Sequence, residues 1–158
     1  MDSLLPIDIS STALSVERLR MAIIASNLAN IQTTRTPEGG PYRRKSLVVR
    51  AEPLPEFQEA LQEEIERSGA SGDSPTLRLM AHLRGVTPVS VVSDTREPLL
   101  VHAPWHPEAD ENGNVLMPNI SVMEEMVNLI ATSRAYEANL AVVKATRNMV
   151  SQALQIGR

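Results

Sequence analysis

Between residues 121 and 156 a large apolar side chain returns every seventh position: Val122, Leu129, Tyr136, Val143 and Val150. Two turns of α-helix nearly close on seven residues, so all five fall on one line along a helix. Met126, Leu140 and Leu154 occupy the matching half-heptad positions, with Ser133 and Arg147 as polar interruptions. The pattern predicts one helix from about Ser121 to Ile156 with a coiled-coil seam. Pro118 and Asn119 precede it, and Gly157 follows it. Ser121 and Glu124 have the spacing of a capping box, and Glu124 and Glu125 sit where the helix dipole favours acids. Such a helix is about 50 Å long and protrudes from a compact domain of this size, so its seam calls for a partner.

The other end of the chain offers one. Ser10, Ser11 and Thr12 are candidate N-caps for a helix running from about Ser10 to Ile31. Its apolar residues lie on more than one face, and Glu17, Arg18 and Arg20 are its only charges. A surface helix carries a single apolar stripe. A helix apolar on several sides is either a central core helix or one packed between subunits, and periodicity does not choose between them. The run closes on "SNLANIQTT", where Asn27 and Asn30 interrupt it. An Asn in an apolar seam fixes register at some cost in packing, and near a helix end its amide satisfies loose backbone groups.

The middle is different. Residues 33–55 and 84–118 are rich in Pro, Gly, Thr and Val, and "YRRKSLVVRA", "TLRLMAHL", "VTPVSVVS" and "PLLVHAP" read as short strands. Asn112-Gly113 is a candidate two-residue hairpin turn. Residues 55–67 read as a short acidic helix and 68–75 as a loop. The expected fold class is therefore α+β: long N- and C-terminal helices pairing antiparallel as a coiled coil, with a small β-rich domain inserted between them. The expected boundaries are 1–34, 35–118 (with the extra helix and loop near 53–80) and 119–158.

Composition narrows the function classes. Aromatic residues make up 3% and the net charge is -4, which argues against a base-stacking surface or a phosphate-backbone binder. The chain has no cysteine, so disulfides, cysteine zinc sites and thiol chemistry are excluded. No run is long enough to span a membrane. The N-terminal "MDSLLPIDISST" has an acid where a secretory signal wants a base, so ordinary signal-peptide export is not expected.

Few residues suggest chemistry. His102 and His106 are four apart with Glu108 and Asp110 beyond, but Pro104 and Pro107 break the helix that a metal face needs. Glu108, Asp110, Asn112 and Gly113 imitate the start of a calcium loop, yet Asn119 stands where that loop needs Glu. A turn with acidic shoulders is the expected reading. Arg43, Arg44 and Lys45 read as a solvated strand edge or a contact with an acidic neighbour. Met123, Met126 and Met149 read as helix packing. No catalytic residue, metal site or cofactor is expected.

The N-terminal "ALSVERLRMAIIASNLANIQTT" resembles the signature helix of bacterial flagellar axial proteins, whose A-x-N-x-A-N-x-x-T pattern falls here on Ala25, Asn27, Ala29, Asn30 and Thr33. The C-terminal segment from Met117 onward, above all "EEMVNLI" and "SRAYEANL", resembles the matching C-terminal helix. In the FlgC-type proximal-rod branch this helix follows a characteristic segment, matched here at His106, Pro107, Ala109, Asp110, Gly113, Val115, Met117, Pro118 and Asn119. Ala103 stands where that branch usually has Asp, and residues 53–80 are longer than its usual middle. The resemblance implies a structural subunit of the basal-body rod. It would leave the cytoplasm through the flagellar type III export apparatus without a cleaved signal and insert into no membrane. Copies of itself and other rod subunits would be its partners, and no nucleic acid would be. Expected helix-packing positions are Leu14, Leu19, Ile23, Asn27 and Asn30 at one end. At the other they are Val122, Met126, Leu129, Tyr136, Leu140, Val143 and Val150. The alternatives are another subunit of the same axial family, a stand-alone coiled-coil adaptor with a β domain, and a metal-dependent hydrolase using His102 and His106.

Overall fold

The computed structural model describes residues 5–53 and 83–156. The acidic helix and loop expected over 55–75, and all of the "TLRLMAHL" strand but its last residue, lie outside them. In order along the chain come α1 (Leu5–Ala29), β1 (Lys45–Pro53), β2 (Arg84–Ser93), β3 (Leu99–His102), β4 (Asn114–Met117) and α2 (Val122–Ile156). This is an α+β chain with a helix at each end and two-stranded sheets between: β1 pairs with β2, and β3 with β4. Two compact units emerge. One is built on Glu17–Val48 and Val89–Ala135; the other takes the flanking segments of both helices and both longer strands.

Helix α1 begins at Leu5, not near Ser10. Pro6 falls in its first turn, where a missing N–H costs nothing, and Asp8 faces the helix dipole there. The hydroxyls expected to cap the helix lie inside it. Ser11 Oγ donates to Asp8 O at 2.8 Å, Thr12 Oγ1 to Ile9 O at 2.8 Å and Ser15 Oγ to Thr12 O at 2.7 Å. A hydroxyl that bonds back to the previous turn needs no cap position, so Ser and Thr carried no start signal here. In the flanking unit, Thr12 Oγ1 also accepts the backbone N–H of Val86 at 3.2 Å.

Helix α1 stops at Ala29, and Asn30 closes it: its Nδ2 donates to Ser26 O at 2.8 Å, and Thr33 Oγ1 donates to its Oδ1 at 3.2 Å. The chain then turns back. Thr36 N donates to Gly40 O at 2.9 Å and Tyr42 N to Thr33 O at 3.0 Å. Tyr42, Arg44 and Lys45 thereby arrive beside the end of α1.

At the start of α2, Ser121 Oγ accepts the N–H of Glu124 at 3.4 Å, the first half of a capping box. The Glu124 carboxylate lies 3.7 Å from Arg44. Along α2, Leu129, Tyr136, Val143 and Val150 are half-buried, while Val122, the first residue of the same heptad line, is 48% exposed. The second line is shifted by one residue. Glu125, Thr132 and Thr146 are buried (0, 4 and 6% exposed), whereas Met126 is 49% exposed. The apolar count pointed to Met126; polar partners distant in sequence, Arg44 and Asn27, took Glu125 inward instead.

Strands β3 and β4 are antiparallel, with Leu99 opposite Met117 and His102 opposite Asn114. Asn112-Gly113 is not a two-residue hairpin turn: residues 103–113 form the connection. A type I′ turn needs positive φ at both central residues, and only Gly113 has it, at 72°. Asp110 organises the loop end, its Oδ1 accepting from Asn112 N at 3.0 Å and Asn114 N at 2.8 Å. Gly113 is required twice over, because a Cβ there would also meet His102 Cε1 and Pro104 Cβ at 3.1 Å.

Candidate functional site: a buried polar junction

The unit built on Glu17–Val48 and Val89–Ala135 holds the most buried polar side chains among the described residues, Glu125 and Asn27. Asn27, in the last turns of α1, is 1% exposed. Its Nδ2 donates to Glu125 Oε2 and to Lys45 O, both at 2.9 Å. Its Oδ1 accepts the Lys45 N–H at 2.9 Å and the Tyr42 hydroxyl at 3.1 Å. Both amide hydrogens and both lone pairs are used, so this one side chain joins α1, the start of β1 and α2.

Glu125 is 0% exposed. Its second oxygen accepts from Arg44 Nε at 2.8 Å and lies 2.7 Å from Arg44 Nη2. A buried carboxylate is tolerable only when paired and hydrogen-bonded, and here both oxygens are. Arg44 is held in turn by its backbone, whose carbonyl accepts the Asp94 N–H at 2.7 Å. Tyr42 is buried, and the Lys45 ammonium lies 5.5 Å from the centre of its ring. Among the described residues no buried side-chain polar atom lacks a partner. The junction offers no idle nucleophile, acid or base; it can hold segments together and fix their register.

At the rim, Asp94 accepts from Arg96 through its backbone at 2.9 Å and its guanidinium at 2.6 Å. The side-chain bond from Arg96, helped by the backbone bond, holds the Asp94 carboxyl below the usual carboxylate range, and Arg96 is raised in return.

The residues singled out from sequence scatter. Asn27 is at the centre of the junction, Ile23 is buried beside it, and Asn30 is half-buried one turn on. Leu14, Leu129, Tyr136, Leu140, Val143 and Val150 are half-buried, while Leu19, Val122 and Met126 are exposed. Sequence reasoning missed Tyr42, Arg44 and Glu125 as one group. In sequence Arg44 reads as strand edge or neighbour contact, but its guanidinium is spent on its own chain's Glu125, 81 positions away. The histidines have local partners too: His102 Nδ1 lies 3.2 Å from Asn114 Oδ1, and His106 Nδ1 accepts the Glu108 N–H at 3.2 Å. No described helix is long and apolar enough to cross a membrane.

Both ends of the chain match known families. The family model described as "Flagella basal body rod protein" matches residues 7–35, and "Flagellar basal body rod FlgEFG protein C-terminal" matches residues 111–156. The chain is 34% identical to the flagellar basal-body rod protein FlgC of Bacillus subtilis over 96% of each chain. It is 34% identical to that of Borreliella burgdorferi over 95% of this chain and 94% of the relative. The FlgC protein of Salmonella typhimurium is 34% identical over 96% of this chain and 95% of its own. The junction thus lies in a chain that belongs to the FlgC family of flagellar basal-body rod proteins.

Proposed function

We propose that this chain acts by assembly alone, as a structural subunit of the proximal rod through which torque passes from the membrane ring toward the hook. It is not an enzyme; its relatives are rod proteins. The observation that carries the reading is the apolar surface along α2: Met123, Met126, Val127 and Ile130 are 73, 49, 57 and 55% exposed. Side chains of this kind in a row ask for protein neighbours. In this reading the terminal segments 1–34 and 119–158 pair antiparallel as a coiled coil, and 35–118 lies outside them. Leu14, Leu19, Ile23, Asn27, Asn30, Val122, Met126, Leu129, Tyr136, Leu140, Val143 and Val150 supply packing within and between subunits. Partners are copies of this chain and other rod subunits. Export proceeds through the flagellar type III apparatus without a cleaved signal, to a rod that spans the periplasm.

The test is imaging of basal bodies in a deletion strain complemented with wild type or Leu140→Asp. The expected result is loss of rod and hook in the deletion and in the Leu140→Asp strain, with the variant protein still made. Intact flagella in the deletion strain would overturn the reading.

A further inference from the structure

The unit built on Glu17–Val48 and Val89–Ala135 carries a groove and a ridge that match. The groove, about 490 Å³, lies between α1 and α2 beside the buried junction. Its α1 wall includes Arg20, Ile23 and Ile24, and its α2 wall Asn128, Ala131 and Ala135. Much of its polar lining is already spent: Arg20 donates to Glu17, and Asn27 and Arg44 both donate to Glu125. An incoming helix would meet an apolar floor between small side chains. The ridge is on α2. Met123, Val127, Ile130 and Arg134 lie along one line, spaced four, three and four residues apart, with Met126 beside it, all exposed. We infer that the α2 ridge of one copy seats in the α1–α2 groove of the next, parallel to that copy's α2 and antiparallel to its α1. This rests on the rod reading and adds to it which surfaces meet.

Stacking fixes the direction. Copies related by rotation about one axis and translation along it keep the direction of every helix that runs along that axis. A neighbour's α2 therefore runs parallel to this α2 and, in the rod reading, antiparallel to this α1. Charge agrees. Asn27 and Glu125 mark one end of the groove, with Arg44 and Lys45 beside them. Glu17 and Ala135 each stand ten residues from that bonded pair, about 15 Å along their helices. In this direction the incoming Arg134 comes level with Ala135 and the Glu17 carboxylate, and Ile130 with Ala131. The reverse direction sets Arg134 against Arg44 and Lys45. Ridge and groove wall lie roughly 120° apart around α2, at 100° per residue. The two faces differ, so the contact is heterologous and repeats without closing on a pair. Faces less than 180° apart bend the row of copies, so the repeat winds into a tube and not a flat layer. A few half-exposed side chains fall short of the roughly 800 Å² per partner of a stable dimer, so the contact belongs to a polymer and not to dilute solution.

The chain's lack of cysteine makes cross-linking clean. Differently tagged full-length copies carrying Ile130→Cys or Ala131→Cys are co-expressed in the deletion strain, and basal bodies are treated with a short thiol-bridging reagent. The reagent relaxes the Cα separation of about 7 Å that a disulfide demands. The expected result is a mixed dimer from the 130/131 pair and little from either variant alone. A Met123→Cys/Ala135→Cys pair should give none, because the proposed alignment holds those positions about 18 Å apart along the axis. A 123–135 bridge would mean the reverse direction and overturn the inference. So would rods that assemble with no 130–131 bridge, an outcome that leaves the rod reading intact; intact flagella in the deletion strain would remove both. If cysteine at 130 or 131 blocks assembly, a Val127→Cys/Asn128→Cys pair reads the same alignment, and its failure to cross-link would equally overturn it.

Discussion

Asn27 and Glu125 stand 98 positions apart and share a buried 2.9 Å hydrogen bond. That bond ties the end of one terminal helix to the start of the other. Its donor and acceptor have no water to fall back on, so its loss is felt more than that of a surface bond.

Asn27→Ala removes four hydrogen bonds and leaves the Lys45 backbone and Glu125 short of partners. The expected loss is about 3 kcal/mol, or roughly 10 °C in Tm, by denaturant and thermal unfolding. Asn27→Asp keeps the shape but turns a donor toward Glu125 into a like charge, so it should destabilise at least as much at neutral pH. Wild-type stability in either variant would show that the junction does not hold the unit.

Arg44→Met leaves a buried carboxylate without its cation and should cost roughly 3–5 kcal/mol. Replacing both partners, Arg44→Met with Glu125→Leu, should recover much of that loss. A double-mutant cycle reads the coupling directly; simple additivity of the two changes would refute it.

Gly113→Ala strains a φ of 72° and drives a Cβ to 3.1 Å from His102 and Pro104. The expected cost is about 1–2 kcal/mol. It should appear as faster amide exchange in β3 and β4 while α1 and α2 stay unchanged. Unaltered exchange in that hairpin would mean the loop tolerates the substitution.

Asp94 supplies a pH prediction. Arg96 lowers its folded-state pKa, so the pair contributes at pH above the unfolded value and fades as pH falls through the folded one. The Asp94 side chain is 23% exposed at the rim of the junction, so the effect is read as a titration midpoint, not as stability. Carboxyl NMR should give Asp94 a midpoint below that of the unfolded chain, and Arg96→Ala should raise it. An unchanged midpoint would remove the pairing.

How much was readable in advance varies by residue. The Leu129, Tyr136, Val143 and Val150 line stood in the sequence because a helix repeats on itself within one segment. Asn30 was readable as a helix-end residue for the same local reason. The start of α1 was not: Ser10, Ser11 and Thr12 have the chemistry of caps, and nothing local says that the helix already runs through them or that the Ser11 and Thr12 hydroxyls bond back to the previous turn. Asn112-Gly113 promised a tight turn, but turn length depends on which strands pair, and β4 forms only opposite β3.

Sequence by itself determined two long helices at the ends, a short-stranded middle, and the absence of thiol chemistry. These follow from periodicity, turn residues and composition, which act over a few residues at a time. Tertiary structure alone decided that Glu125 rather than Met126 turns inward. A carboxylate looks like a surface residue until Arg44 and Asn27 arrive from elsewhere in the chain. Burying it is unfavourable until that moment and tolerable after it, and no local pattern records the arrival.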